Sequence, residues 1–174
     1  LIAALVPREW QVRFVDENVR PVAESEFAWA DAILVSGMHI QRRQILDLAR
    51  RAHRAGKVIA LGGPSVSAAP EYYPEIDLLH CGEVGDGTLD LFRRLDETVA
   101  RPEQQILYRT VDRLPMTQFP TPAYRLIDVR QYLLGSVQYS SGCPFTCEFC
   151  DIPALYGRNP RLKSPQQILL ELDE

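Results

Sequence analysis

The chain has 174 residues and a formal net charge of −4, from 19 lysines and arginines against 23 acidic residues. That length holds one domain or one and a half, and the acidic balance argues against a nucleic-acid-binding surface. Hydrophobic content is an ordinary 46 %, and no apolar run approaches the ~20 residues that span a bilayer. No signal peptide is visible, so the expectation is a cytoplasmic protein without a transmembrane segment. The sequence starts at Leu1 and stops at Glu174 inside a helical pattern. It therefore reads as a piece cut from a longer protein.

Leu1 to Val6 reads as the last turns of a helix stopped near Pro7. Gln11 to Val15 alternates polar and apolar residues, which predicts a strand. Glu24 to Ala30 fits a short helix. Ala32 to Val35 is a continuous apolar run ending in Ser36-Gly37, the pattern of a buried parallel strand. Gln41 to Ala55 is a helix with Ile45, Leu48 or Ala49, and Ala52 on one face, ended by Gly56. Its polar face carries His53, expected in solvent. Val58 to Leu61 is a second buried strand, broken by Gly62-Gly63-Pro64. Asp77 to His80 is a third strand, followed by the Gly82 to Gly87 turn. Thr88 to Glu97 is a helix with Leu91 and Leu95 toward the sheet.

Short apolar strands alternating with amphipathic helices require parallel strands joined by right-handed crossovers. The fold class is therefore α/β, an open doubly wound sheet of the flavodoxin-like (Rossmann-like) kind over residues 1–100. Ligands of such sheets sit beyond the carboxyl ends of the strands. Three glycine-rich stretches fall there: Ser36-Gly37-Met38, Gly62-Gly63-Pro64, and Gly82 to Gly87. Glycine lets backbone approach a flat ligand closely, but after a parallel strand it is often simply a turn. His80 and Cys81 end a strand, where packing accounts for both.

Residues 101–134 change character. Prolines recur, periodicity is weak, and apolar residues such as Ile106 and Tyr124 remain available to pack, so the stretch reads as an ordered connector. Ser136 to Tyr139 reads as the first strand of a second domain over residues 135–174. Ser164-Pro165-Gln166-Gln167 is a helix start, with a serine cap, proline at the first position and glutamine at the third. Ile168, Leu169 and Leu172 are the expected buried face of that helix.

Between that strand and helix lies Gly142-Cys143-Pro144-Phe145-Thr146-Cys147-Glu148-Phe149-Cys150-Asp151. Cys143, Cys147 and Cys150 form a CxxxCxxC pattern with an aromatic, Phe149, before the last thiol. A structural zinc site takes four ligands, and this loop offers three. A 4Fe-4S cluster on three cysteines keeps one iron open to a small molecule. A zinc knuckle completed by a distant Cys81 or histidine is the alternative.

The cysteine spacing with its aromatic resembles the radical S-adenosylmethionine superfamily. An α/β domain preceding it resembles the members with a cobalamin-binding domain. The Gly142 to Ile152 run, followed by Tyr156-Gly157-Arg158-Asn159-Pro160-Arg161, looks like the branch containing hopanoid methylases. The resemblance implies a 4Fe-4S cluster on Cys143, Cys147 and Cys150, S-adenosylmethionine on the open iron, and Phe149 near the adenine. It implies cobalamin against Ser36, Gly37 and Met38 and against Gly62 and Gly63, with methionine where the family has leucine. The Asp-x-His-x-x-Gly motif that supplies a cobalt-ligating histidine in some cobalamin domains is absent, as it is in many members of the radical group, so the resemblance implies a cobalamin without a histidine lower ligand. His39 is a further cobalt-ligand candidate, although histidine is ordinary at a rim. Residues 135–174 would then begin a partial (β/α) barrel.

The implied activity is a methyltransferase acting on an unactivated carbon through a 5′-deoxyadenosyl radical. It would use a small-molecule or lipid substrate and an electron donor such as flavodoxin or ferredoxin. Arg158, Arg161 and Lys163 would either balance the cluster's charge or stand in solvent. Two other classes stay open: a radical enzyme whose α/β domain is only a scaffold, and a non-catalytic metal-binding module. The truncated chain itself would not turn over, because the barrel's substrate pocket is missing.

Overall fold

A computed structural model describes residues 1–174. The chain forms two compact units: Ala23–Leu114, and Leu1–Val22 together with Pro115–Glu174.

The first of these is α/β. Four strands, β1 (Ala32–Ser36), β2 (Val58–Gly62), β3 (Leu78–Cys81) and β4 (Ile106–Arg109), lie parallel in chain order. This is the parallel α/β sheet of the flavodoxin-like kind that the alternation of short apolar runs predicts. In the central strands, Val58 to Leu61 and Leu78 to Cys81 are buried throughout, as continuous apolar runs require. β1 differs from its expectation. It is an edge strand, and Leu34 and Ser36 are exposed. β4 lies in the stretch read as connector. It is only four residues long and alternates in burial, as an edge strand does.

Helices α1 (Glu24–Trp29), α2 (Arg42–Arg54), α3 (Pro64–Ala68) and α4 (Asp86–Glu97) complete this unit. α2 buries Ile45, Ala49 and Ala52. It closes where Lys57 N–H donates to Ala52 O (2.9 Å), past Gly56 in the left-handed conformation. α4 starts at Asp86, two residues earlier than its periodicity indicates. Gly85 N–H donates to Thr88 Oγ1 (3.2 Å) and so extends the first turn backwards.

His53 is not in solvent. Its Nε2 lies 3.1 Å from Oδ2 of the buried Asp77. Ile59 N–H donates to the same oxygen (3.0 Å), and Arg101 Nε and Nη2 each reach Oδ1 at 3.1 Å. One carboxylate thus ties α2, β2 and the approach to β4 together. Periodicity is blind to such a tie, because it records which face a residue lies on and not what waits there.

In the second unit, Ile2–Ala4 is one 3-10 turn. Gln11 to Val15 joins no sheet, because a strand exists only through a ladder to a neighbour, and none is formed there. Tyr132 donates to Asp16 Oδ2 (2.9 Å), which fixes this segment to the proline-rich stretch. Met116 and Phe119 are buried there, and Gln167 Nε2 donates to both of their carbonyls (3.1 and 3.0 Å).

The strand expected at Ser136 to Tyr139 is shorter and later: β5 (Ser140–Ser141) pairs antiparallel with β6 (Arg161–Leu162). Between them α5 (Ile152–Tyr156) is helical where the sequence reads as loop. The final helix α6 (Pro165–Asp173) begins with the expected capping box. Gln167 N–H donates to Ser164 Oγ (3.2 Å), and Ser164 N–H donates to Gln167 Oε1 (2.9 Å). Its buried face is not the expected one. Leu169 and Leu172 are exposed, and Glu171 is buried in an ion pair with Lys163.

No helix is long and apolar enough to cross a membrane.

Candidate cofactor-binding sites

The cysteine loop is closed at its base by backbone alone. Gly142 has φ +91°, and a Cβ there would lie 2.8 Å from Asn159 O. Cys143 N–H donates to Gly157 O (3.0 Å), at the end of α5. The loop therefore leaves β5 and returns to its own root before entering β6. Within it Cys150 N–H donates to Cys147 O (3.2 Å), forming a tight turn between the second and third thiols. Cys143 and Cys150 are half-buried and Cys147 is exposed.

No three cysteine, histidine or carboxylate side chains converge into a metal-ligand set in this conformation. The donors nevertheless fit a cluster: three free, soft thiols on one loop pinned at its ends. Metal sites are commonly assembled by the metal, which supplies the free energy that gathers the ligands. Phe149 is 92 % exposed and stands beside the last of these thiols.

The neighbouring cations are already occupied. Lys163 is buried against Glu171, and Arg161 Nη2 donates to Ser141 Oγ (3.2 Å) and to Tyr156 O (3.0 Å). Of the three cations proposed to balance the cluster, Arg158 alone is exposed. Cys81 is no fourth ligand in waiting. It is buried, its thiol donates to Val66 O (3.3 Å), and burial pushes its pKa up, opposed by the charge of Arg109.

At the carboxyl ends of the sheet, Ser36 pairs with Gly62 in the parallel register. The structure brings the two predicted stretches together one residue further on. Gly63 has φ +98°, and a Cβ there would lie 2.6 Å from Ser36 Oγ. Gly37 is also small because of the chain itself, since a Cβ would meet Ile45 Cδ1 at 3.0 Å. The third glycine stretch is internal too: a Cβ on Gly85 would collide with Asp112 O. These glycines serve close packing within the fold. What faces outward from the rim is the Ser36 side chain, Met38, His39 and Ile40. A hydroxyl, a thioether and an imidazole at an open strand end suit a large polar ring system, so these residues fit the implied cofactor.

Behind this rim His80 is buried, with Nε2 between Thr88 Oγ1 (3.0 Å) and Thr110 Oγ1 (3.1 Å). Burial holds its pKa below the ordinary 6.5, against the opposing charge of Asp86.

A second set of contacts was not legible in the sequence. His39 Nδ1 lies 3.1 Å from Ser65 Oγ, and Ser65 Oγ is hydrogen-bonded to Tyr73 OH. Ser65 lies 26 residues beyond His39, and no spacing links the two.

No protein-family model matches the chain. Hopanoid C-2 methylase of Rhodopseudomonas palustris is 62 % identical over 173 residues, covering 99 % of this chain and 33 % of that protein. The similarity to this methylase runs along nearly the whole chain, in keeping with the resemblance that the cysteine loop carries. An uncharacterized methyltransferase of Synechocystis is 41 % identical over 174 residues, 99 % of this chain and 32 % of that protein. Bacteriochlorophyllide d C-12(1)-methyltransferase of Chlorobaculum tepidum is 24 % identical over 180 residues, 100 % of this chain and 38 % of that protein. The chain spans about a third of the length of these curated relatives.

Proposed function

We propose that this chain supplies the cluster loop and the cobalamin-binding domain of a cytoplasmic methyltransferase acting on an unactivated carbon of a small-molecule or lipid substrate. The observation that carries the reading is the Cys143, Cys147, Cys150 loop within a chain 62 % identical to a named methylase. When bound, the 4Fe-4S cluster supplies reductive cleavage of S-adenosylmethionine to a 5′-deoxyadenosyl radical, and cobalamin supplies methyl transfer.

The chain's own residues have simpler tasks. Cys143, Cys147 and Cys150 would hold the cluster through three thiolates. The backbone lock at Gly142 and Gly157 keeps both ends of the loop at one place. Phe149 covers the adenine side and excludes water. Ser36, Met38, Gly62 and Gly63 border the cobalamin. An electron donor such as flavodoxin or ferredoxin would be the partner that supplies the reducing electron.

A second reading has a specific observation behind it. Gly37, Gly63 and Gly85 are each required by contacts inside the fold, so they would be kept even if the α/β unit were only a scaffold. The test is anaerobic purification of the natural protein with cobalamin supplied, followed by incubation with reductant and S-adenosylmethionine. Corrin absorbance together with 5′-deoxyadenosine is expected. 5′-Deoxyadenosine without corrin absorbance favours the scaffold, and no 5′-deoxyadenosine overturns the radical reading.

A further inference from the structure

We infer that Arg161 is the positioning residue of the cysteine loop: its guanidinium clamps the two feet of the loop and so gathers Cys143, Cys147 and Cys150 for one metal centre. The inference rests on the metal-site reading of that loop above and adds to it the residue that shapes it.

The loop leaves the fold after Ser141, the last residue of β5, and comes back at Tyr156 and Gly157, where α5 ends. Arg161 stands directly across from Ser141 in the β5–β6 pair. A single nitrogen of its side chain, Nη2, donates to Ser141 Oγ (3.2 Å) and to Tyr156 O (3.0 Å). One acceptor belongs to the outgoing strand and the other to the returning helix. The same cation thus bridges departure and return. Ser141 is only 7 % exposed, so water is a poor substitute for the donor it would lose. Tyr156 O is a carbonyl of the last turn of α5, which has no following turn to donate to it.

The clamp is itself anchored. Two residues on, Lys163 N–H donates to Tyr139 O (2.9 Å), and the Lys163 side chain is buried against Glu171 of α6. β6 is therefore fixed from both sides, and Arg161 reaches the loop from a strand that cannot drift. Beside the clamp runs the backbone bond from Cys143 N–H to Gly157 O (3.0 Å). The two ties together close the loop at its root.

Closing a loop costs chain entropy, and a metal that must gather three ligands meets that cost unless the fold has met it already. A residue that holds the feet together therefore shows itself in metal affinity. Charge balance, the other task open to a cation here, needs only a positive charge nearby. A directed pair of bonds to the two ends of the loop is a different arrangement, and lysine tells them apart. It keeps the charge, but it is shorter than arginine and lacks the planar fork.

The test uses cobalt(II) with the natural protein, reduced and freed of metal. Cobalt held by thiolates gives a sulfur-to-metal charge-transfer absorbance, which requires neither cluster assembly nor turnover. Affinity is read by titration against a competing chelator. Arg161→Met and Arg161→Lys are each expected to weaken cobalt binding about tenfold or more. Arg101→Ala, which loosens the α/β unit instead, is expected to bind as the wild type does. Should Arg161→Met fail to fold, Ser141→Ala removes one of the two acceptors, and a smaller weakening is expected.

Wild-type affinity in Arg161→Met or in Ser141→Ala overturns the inference. So does wild-type affinity in Arg161→Lys, which makes charge the role, and so does an equal loss in Arg101→Ala, which makes it general stability. Each of these leaves the metal-site reading standing. A wild-type protein that binds cobalt no better than the Cys143→Ala, Cys147→Ala, Cys150→Ala triple variant overturns both.

Discussion

Asp77 Oδ1 accepts two hydrogen bonds from the Arg101 guanidinium, at 3.1 Å each. Its other oxygen faces His53 Nε2 and accepts from Ile59 N–H. The carboxylate is buried, so removing it orphans several donors at once. Asp77→Ala is expected to lower stability by about 2–4 kcal/mol. Arg101→Ala costs less, because Arg101 is partly exposed and the other donors stay paired. Urea unfolding of both variants checks the order.

The turns at Gly62 and Gly63 give a three-way comparison. Gly63→Ala forces a Cβ into Ser36 Oγ at positive φ, and the expected loss is about 1–3 kcal/mol. Gly56→Ala meets the same positive φ but open space, and the expected loss is about 1 kcal/mol. In Gly62→Ala the nearest atom is 3.9 Å away and φ is not positive, so little change is expected. Denaturation midpoints of the three variants test that ranking. Equal losses at Gly62 and Gly63 would contradict the packing of Gly63 on Ser36.

His80 makes stability depend on pH with a definite sign. Burial lowers its folded pKa below the ordinary 6.5, so the unfolded chain binds the proton more readily. The contribution is complete above about 6.5 and is lost as pH falls from there through the folded value. His80→Gln is expected to flatten this part of the profile. Urea midpoints between pH 8 and pH 5 measure it, and an unchanged slope in His80→Gln would place the dependence elsewhere.

Much of the fold was legible because it rests on one-dimensional signals. The apolar runs at Val58 to Leu61 and Leu78 to Leu79 could only be buried strands, and the Ser164 to Gln167 box could only open a helix. The misses have a common physical cause. Gln11 to Val15 has the alternation of a strand but no ladder partner, and Ile106 to Arg109 is too short to signal itself. Leu169 and Leu172 are the apolar residues of α6, yet the buried position goes to Glu171 because Lys163 waits there. Cys143, Cys147 and Cys150 fall on one loop between β5 and β6, as their close spacing indicates. The support of His39 by Ser65 and Tyr73 was not legible, because it is a contact between distant parts of the chain.

That buried pair yields a further prediction. Lys163 and Glu171 are almost fully buried together, and Glu171 Oε2 has no hydrogen-bond partner. Breaking the pair leaves an uncompensated charge, so Glu171→Leu alone is expected to cost about 3–5 kcal/mol. Replacing both, Lys163→Met with Glu171→Leu, is expected to recover most of this loss. A double-mutant cycle by urea unfolding checks it.

The central claim is the open-iron cluster on Cys143, Cys147 and Cys150. The most direct measurement is iron content and electron paramagnetic resonance of the natural protein, purified without oxygen and reduced, with and without S-adenosylmethionine. The account predicts about four irons per chain, a reduced-cluster signal altered by S-adenosylmethionine, and loss of both in the three single cysteine-to-alanine variants but not in Cys81→Ala. Bound zinc, or a cluster whose signal ignores S-adenosylmethionine, would contradict it and make the loop a structural metal module.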